Sequence, residues 1–208
     1  MQQITHQIEE IALDFAFRIA GAGKRAPILC HSTLRKLVVA ASLGSGIRYE
    51  KAEGIANSLP DNPNLTHLKL AAAQHRFPNQ AFSRLTRLFD HQNQILSSAV
   101  MHLTSPVPVK KQRRELANLV PGIGPKQSSF LFCLAGHGQE IAVLDRHILR
   151  FCSLLNLSPA VGIPNSWSRY ERIETSFVEY AKSHCVPTDA LDAAVWITMR
   201  AAKGRVSI

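Results

Sequence analysis

The chain is short of clustered cysteines, of acidic residues and of long apolar runs, and each shortage removes a class of protein. Cys30, Cys133, Cys152 and Cys185 are scattered, with no C-x-x-C among them. That spacing argues against a disulfide framework, a zinc site or a four-cysteine iron–sulfur cluster, and isolated buried thiols are the expectation. No apolar run reaches the roughly 18 residues that a membrane crossing needs, so no membrane partner is expected. Residues 1–23 carry Glu9, Glu10 and Asp14 within their apolar pattern and lack a basic start. They do not read as a signal peptide, and an intracellular location is expected. Period-2 strand signals are nearly absent, since Glu140 to Leu144 is too short to count. No fixed-period repeat is visible, which argues against a solenoid.

What is present is a basic, apolar, helical chain. Its 208 residues are 46% hydrophobic, enough for a core, and its 24 lysines and arginines exceed its 15 acids to leave a net charge of +9. Such a surface suits a polyanionic partner, with nucleic acid ahead of a membrane. Ile4, Ile8, Ile11, Phe15 and Ile19 fall on one helical face, ended at Gly21 to Gly23. A second helix opens at His31-Ser32-Thr33 and breaks at Ser42-Leu43-Gly44-Ser45-Gly46. Further helices fit Tyr49 to Leu59, Leu65 to Gln74 and Asn79 to Leu103. Thr104-Ser105-Pro106-Val107-Pro108 reads as a linker. Beyond it helices fit Lys110 to Leu119, Pro125 to Ala135, Asp145 to Leu155, Asn165 to Cys185 and Thr188 to Lys203. An all-α protein follows, with a helical lobe at 31–103 and a second lobe at 110–208 onto which the N-terminal helix (1–20) can fold back.

The most informative stretch is Leu119-Val120-Pro121-Gly122-Ile123-Gly124-Pro125-Lys126. Gly122 and Gly124 permit positive φ and a close approach of ligand to backbone. Pro125 suits the first helical turn, where its missing N–H is no loss. The turn would aim amides and a helix dipole at one anion. Lys110, Lys111, Arg113 and Arg114 could touch adjacent phosphates. An ordinary corner between two helices would use the same glycines, so they are weak by themselves. Lys126 adds chemistry. The positive end of a helix disfavours a cation there and favours the neutral amine that a nucleophile needs. Phe130 lies four residues on, on the same face. Asp145 follows Lys126 by 19 residues and precedes the apolar-periodic run Ile148, Leu149, Phe151, Cys152, Leu155. As an N-cap it would accept amide hydrogen bonds, stay ionised and stabilise positive charge on a sugar. A plain helix cap is the simpler role. His147 and Arg150 could reach phosphate or face solvent.

These residues carry a resemblance. The hairpin with Lys126, then Val143-Leu144-Asp145-Arg146-His147-Ile148-Leu149-Arg150, resembles the helix-hairpin-helix DNA glycosylases of the endonuclease III superfamily. There a catalytic lysine follows the hairpin in bifunctional members, and an aspartate in a D-x-H-x-x-R context follows about 19 residues later. His75-Arg76-Phe77-Pro78-Asn79-Gln80, Leu191-Asp192-Ala193-Ala194-Val195-Trp196 and Lys203-Gly204-Arg205-Val206 are similar to segments of the type-2 8-oxoguanine DNA glycosylase/lyases. The resemblance implies a two-lobed HhH-GPD fold with its active site in the cleft between lobes, acting as a monomer in a prokaryotic cytosol or nucleoid. It implies double-stranded DNA carrying a damaged or modified base as partner, with no metal and no organic cofactor. Lys126 and Asp145 would be catalytic. Gly122, Gly124, Lys111, Arg114, His147 and Arg150 would hold phosphate. Phe130, Trp196 and Asp192 would line the base pocket, and Gly44 and Ser45 would belong to the loop that fills the gap left by the flipped base. For Phe130 and Trp196 a core role competes.

The chain also departs from that family. It ends Val206-Ser207-Ile208 where type-2 enzymes carry a lysine, has Gln80 where they have a lysine, and has small residues at Gly44 to Gly46. A bulky hypermodified base of phage DNA, removed by the same chemistry in defence, is therefore an alternative substrate to 8-oxoguanine. A non-catalytic hairpin module that only binds DNA and a basic helical scaffold for proteins are alternatives of other classes. Neither requires Lys126 and Asp145 at this spacing.

Overall fold

The computed structural model describes residues 2–22, 29–90, 94–105, 108–158 and 162–202. Among these, eleven α-helices and no strand are found: α1 (Gln2–Gly21), α2 (His31–Leu43), α3 (Tyr49–Ser58), α4 (Leu65–Ala73), α5 (Pro78–Leu88), α6 (Ile95–Thr104), α7 (Val109–Leu119), α8 (Pro125–Phe132), α9 (Arg146–Leu154), α10 (Trp167–Ser183) and α11 (Thr188–Ala201). The all-α expectation holds. No described helix is long and apolar enough to cross a membrane.

The chain divides into two compact units, residues 27–135 and residues 1–26 with 136–208. The division falls inside a π-helical turn, Cys133–His137, where Gly136 takes φ +95°. The sequence placed a lobe boundary at the proline-rich 104–108 segment, of which Pro106 and Val107 lie outside the described residues. Packing decides otherwise: α7 lies on α6 and α8 lies on α2, so the hairpin belongs with the helices before it.

In the unit of residues 27–135, α2 is the central element. Val38, Val39, Ala40, Ala41, Ser42 and Leu43 are all buried, because α3, α5, α6 and α8 pack around its last turns. Ala52, Ile55 and Ala56 bring α3 against it. Asn64 caps α4 by a reciprocal box: its Oδ1 accepts the His67 N–H at 3.0 Å, and His67 Nδ1 accepts the Asn64 N–H at 3.2 Å. The single helix expected over Asn79 to Leu103 is two helices, α5 and α6. The polar run Asp90-His91-Gln92-Asn93-Gln94 interrupts the apolar period, α5 ends at Leu88, and Gln94, which precedes α6, is left-handed at φ +45°. Likewise the helix expected to reach Ala135 ends at Phe132 and passes into the π turn.

In the unit of residues 1–26 and 136–208, α11 packs against α1, α9 and α10. Its core gathers Ile8, Ala12 and Ala16 of α1 with Leu149, Phe151, Cys152, Phe177, Leu191, Ala194 and Val195. The buried stripe of α1 is thus Ile8–Ala12–Ala16, at i, i+4, i+8. Ile4, Ile11, Phe15 and Ile19, expected on the buried face, are exposed. Two alanines, having almost no side chain, let α1 approach α11 closely, and this rotates the larger residues outward. Of the four cysteines only Cys152 is buried; Cys30 and Cys185 are exposed and Cys133 is intermediate, so the expectation of buried thiols holds for one.

Candidate active site

The hairpin is built by its neighbours as much as by its glycines. Val120 and Ile123 are buried and anchor the turn, while Gly122 and Lys126 are exposed. Gly122 takes φ +82°, the left-handed region that favours glycine. A β-carbon there would stand 2.6 Å from Arg84 Nε and 2.8 Å from the Ser42 carbonyl oxygen. Ser42 donates its hydroxyl to the Pro121 carbonyl, and Arg84 Nη1 donates to the Ser42 carbonyl at 2.9 Å. Burial pulls the Arg84 guanidinium below its ordinary value. Arg84 of α5 and Ser42 of α2 thus clasp the turn, and sequence reasoning missed both, because nothing local marks a contact made across 42 residues.

Gly124 differs from expectation. It is extended, at φ −112° and ψ −169°, and serves as the N-cap of α8. Its N–H donates to Gln127 Oε1 at 3.4 Å. Ser128 and Ser129 return their hydroxyls to the carbonyls of Gly124 and Pro125. Arg113, expected near phosphate, is instead fully buried, and its Nη1 donates to Ser129 Oγ at 2.8 Å, linking α7 to α8. Lys111 and Arg114 are exposed on the same helix, Lys111 with Glu115 at 3.9 Å. Phe130 is half-buried, its ring edge-on to Tyr49 at 4.9 Å.

Gly44 and Ser45 lie in a loop joined to a second turn. His75 is buried; its Nδ1 accepts the Phe77 N–H at 2.9 Å, so its Nε2 carries the proton and donates to the Leu43 carbonyl at 2.9 Å. Gly46, at φ +91°, lies under Phe77, where a β-carbon would come 2.8 Å from the ring. Phe77 itself is 47% exposed, with the Arg76 guanidinium 5.3 Å from its centroid. A bulky aromatic therefore stands beside the small loop, a position the sequence alone did not assign to the site.

The second group of residues gathers at the start of α9. Asp145 caps the helix: its Oδ1 accepts the His147 N–H at 2.7 Å and the Ile148 N–H at 3.0 Å. His147 is edge-on to Trp196 at 6.2 Å, and Arg200 lies over the Trp196 ring at 4.8 Å. Burial pulls His147 below its ordinary value against the opposing pull of Asp145, and Arg146, Arg150 and Arg200 lower it further. Arg150 is partly buried, its Nε without a hydrogen-bond partner. Trp196 is 39% exposed. A carboxylate, an imidazole, an indole and three arginines are thus brought together on one unit. Asp192 of α11 accepts the Val143 N–H at 2.7 Å, and burial pushes its carboxyl up to about 7. Its surface exposure is intermediate, yet its neighbour Leu191 and Ala194, two residues on, are both buried to 0%. The similar segment at Lys203 to Val206 lies outside the described residues.

A family model described as 8-oxoguanine DNA glycosylase matches residues 42–186, the stretch that holds the clasp, the hairpin and the Asp145 cap. The chain belongs to that family. It is also 27% identical over 124 residues to the 8-oxoguanine DNA glycosylase/AP lyase of Fusobacterium nucleatum, a match covering 58% of this chain and 56% of that relative. The chain thus spans little more than half the length of the curated relative it matches. The solved 8-oxoguanine DNA glycosylase of Methanocaldococcus jannaschii superposes with a TM-score of 0.72 at 21% identity, covering 97% of this chain and 95% of that one. The 8-oxoguanine glycosylase/lyase of the same organism, solved with a 15mer DNA containing 8-oxoguanine, superposes with a TM-score of 0.66 at 20% identity, over 96% and 92%. At such identities these structures establish the fold.

Proposed function

We propose that this chain is a DNA glycosylase/AP lyase that removes a damaged base, 8-oxoguanine first, from double-stranded DNA. The observation that carries it is Lys126 just after the Gly122 turn, followed 19 residues on in the sequence by Asp145 as a two-bond N-cap, inside a stretch that matches the glycosylase family throughout. The relative bound to an 8-oxoguanine 15mer supports the substrate class.

The chemistry follows from the groups. The exposed hairpin presents Gly122 and the long Gly124–Gln127 contact to a phosphate, whose oxygen can take over the amide. Lys111, Arg114, His147 and Arg150 add positive charge or donors along the backbone. The nucleotide leaves the stack, Phe77 occupies the space it vacates, and Phe130 and Trp196 pack on the base. The Lys126 amine, once neutral, attacks C1′ while the bond from C1′ to the base nitrogen breaks, and the base departs with the electron pair and gains a proton. The Asp145 carboxylate stabilises the positive charge that grows on the sugar. Loss of the nitrogen proton and ring opening leave a Schiff base. That acidifies C2′, whose proton leaves as the C3′–oxygen bond breaks, and the strand is nicked.

Incubation with a panel of duplexes, each carrying one modified base, tests this. Excision of 8-oxoguanine and borohydride trapping to that duplex are expected, with trapping lost and DNA binding kept in Lys126→Gln. Trapping unchanged in Lys126→Gln removes Lys126 as nucleophile. Excision of a different base alone overturns the substrate, and binding without excision of any base overturns the enzyme.

A further inference from the structure

The segment before Asp145 belongs to no helix, and the described residues contain no strand, so no neighbouring strand can satisfy its amides. Ala142 and Leu144 are buried, and an unpaired buried N–H costs roughly 1–3 kcal/mol. Three consecutive amides are met by three different side chains. Glu174 Oε1 accepts the Ala142 N–H at 3.1 Å, Asp192 Oδ2 accepts the Val143 N–H at 2.7 Å, and the Tyr170 hydroxyl accepts the Leu144 N–H at 3.0 Å. The same hydroxyl donates to the Ala142 carbonyl at 3.0 Å. Val143 is gripped from both sides, since its carbonyl accepts the Asp145 N–H at 2.7 Å. Asp192, Val143 and Asp145 therefore form a continuous chain of two hydrogen bonds.

Neutral groups would satisfy these amides at lower cost. Glu174 is 0% exposed, and burying carboxyl groups is expensive unless their placement serves something. What all three side chains converge on is the backbone leading into the Asp145 cap. Positioning a reacting group to within a fraction of an ångström takes neighbours locked by packing and hydrogen bonds, and Tyr170 and Glu174 are both buried in α10.

We propose that Tyr170, Glu174 and Asp192 form a side-chain cradle that positions the Asp145 carboxylate, so that Asp192 is a positioning residue acting through Val143 and not a ligand of the base. This rests on the glycosylase function proposed above. The cradle serves base departure, where positive charge grows on the sugar. It is not needed for Lys126 to condense with an abasic aldehyde that already exists.

Two substrates separate these steps: a duplex with one 8-oxoguanine, read by single-turnover excision, and a duplex with one preformed abasic site, read by borohydride trapping. Tyr170→Phe removes only the hydroxyl and keeps the ring. It is expected to slow excision at least fivefold with trapping within twofold. Asp192→Ala is expected to slow excision at least tenfold, again with trapping kept, and Asp192→Asn, whose amide oxygen can still accept the Val143 N–H, to recover to within about threefold of the unsubstituted chain. Excision unchanged in Tyr170→Phe and Asp192→Ala overturns the cradle, as does a loss shared equally by excision and trapping. Amide hydrogen exchange at Leu144, His147 and Ile148 reads the cradle without any activity: faster exchange in Tyr170→Phe supports it and unchanged exchange overturns it. An unsubstituted chain that neither excises nor traps overturns the proposed function instead, and exchange then decides the cradle by itself.

Discussion

Arg84 lies against Gly122 in the space that a side chain would fill, its Nε 2.6 Å from where a β-carbon would stand. Helices α5 and α7–α8 are distant in sequence, so the turn presented to a phosphate is shaped from outside itself. Gly122→Ala meets two penalties at once, the left-handed φ of +82° and the collision with Arg84 and the Ser42 carbonyl. Backbone strain alone is roughly 1–3 kcal/mol. The expected outcome is a fall in melting temperature of several degrees together with weaker DNA binding, measured by thermal unfolding and fluorescence anisotropy. An unchanged melting temperature would show that the clasp yields.

Two basic residues of α7, two positions apart, should behave oppositely. Arg113 is buried against Ser129, and Arg113→Ala should lower stability by more than about 2 kcal/mol. Lys111 is exposed, and Lys111→Ala should leave unfolding unaltered while it weakens DNA binding and reduces the salt slope by about 1. Denaturant melts and a salt titration of affinity distinguish them.

The Asp192 carboxyl, raised from 3.8 to about 7 by burial and by Asp145, Asp189 and Glu174, holds its proton more tightly folded than unfolded. The folded state then binds more protons between those values, so this group's contribution makes stability fall as pH rises from about 4 to about 7. Asp192→Asn removes that dependence. Relative to the unsubstituted chain it should grow more stable across this interval and level off above it, which thermal melts at several pH values measure.

Two thiols should differ in reactivity. Cys30 is exposed, and hydrogen bonds from Thr33, with Ser32, bring its thiol down to about 7. Cys152 is buried, which pushes it up to about 12. Iodoacetamide near neutral pH should alkylate Cys30 and leave Cys152 untouched in the folded chain, with mass spectrometry of the peptides as readout. Equal labelling would contradict this arrangement.

Much of the helical order was legible, because apolar periodicity and Gly–Pro punctuation act within a few residues. The α9 cap at Asp145, the break at Ser42 to Gly46 and Pro125 at the start of α8 all depend on neighbours in the chain. The division into α5 and α6 was missed because no glycine or proline marks it; its one sign is the polar run Asp90-His91-Gln92-Asn93-Gln94, which an exposed helical turn can also carry. The buried stripe of α1 was misread for a related reason: the sequence ranks isoleucine above alanine for burial, whereas close approach to α11 selects the small residues.

By itself the sequence determined an all-α, basic protein, a hairpin of glycines followed by a lysine, and an aspartate 19 residues on. These are properties of composition and of spacing along one backbone, where short-range sterics and capping decide. Only the tertiary structure decided that Arg84 and Ser42 clasp the turn, that Arg113 is a buried link and not a phosphate contact, and that Asp192 holds Val143. Each of those contacts joins residues brought together by helix packing, and a buried donor takes whichever acceptor the packed neighbour offers.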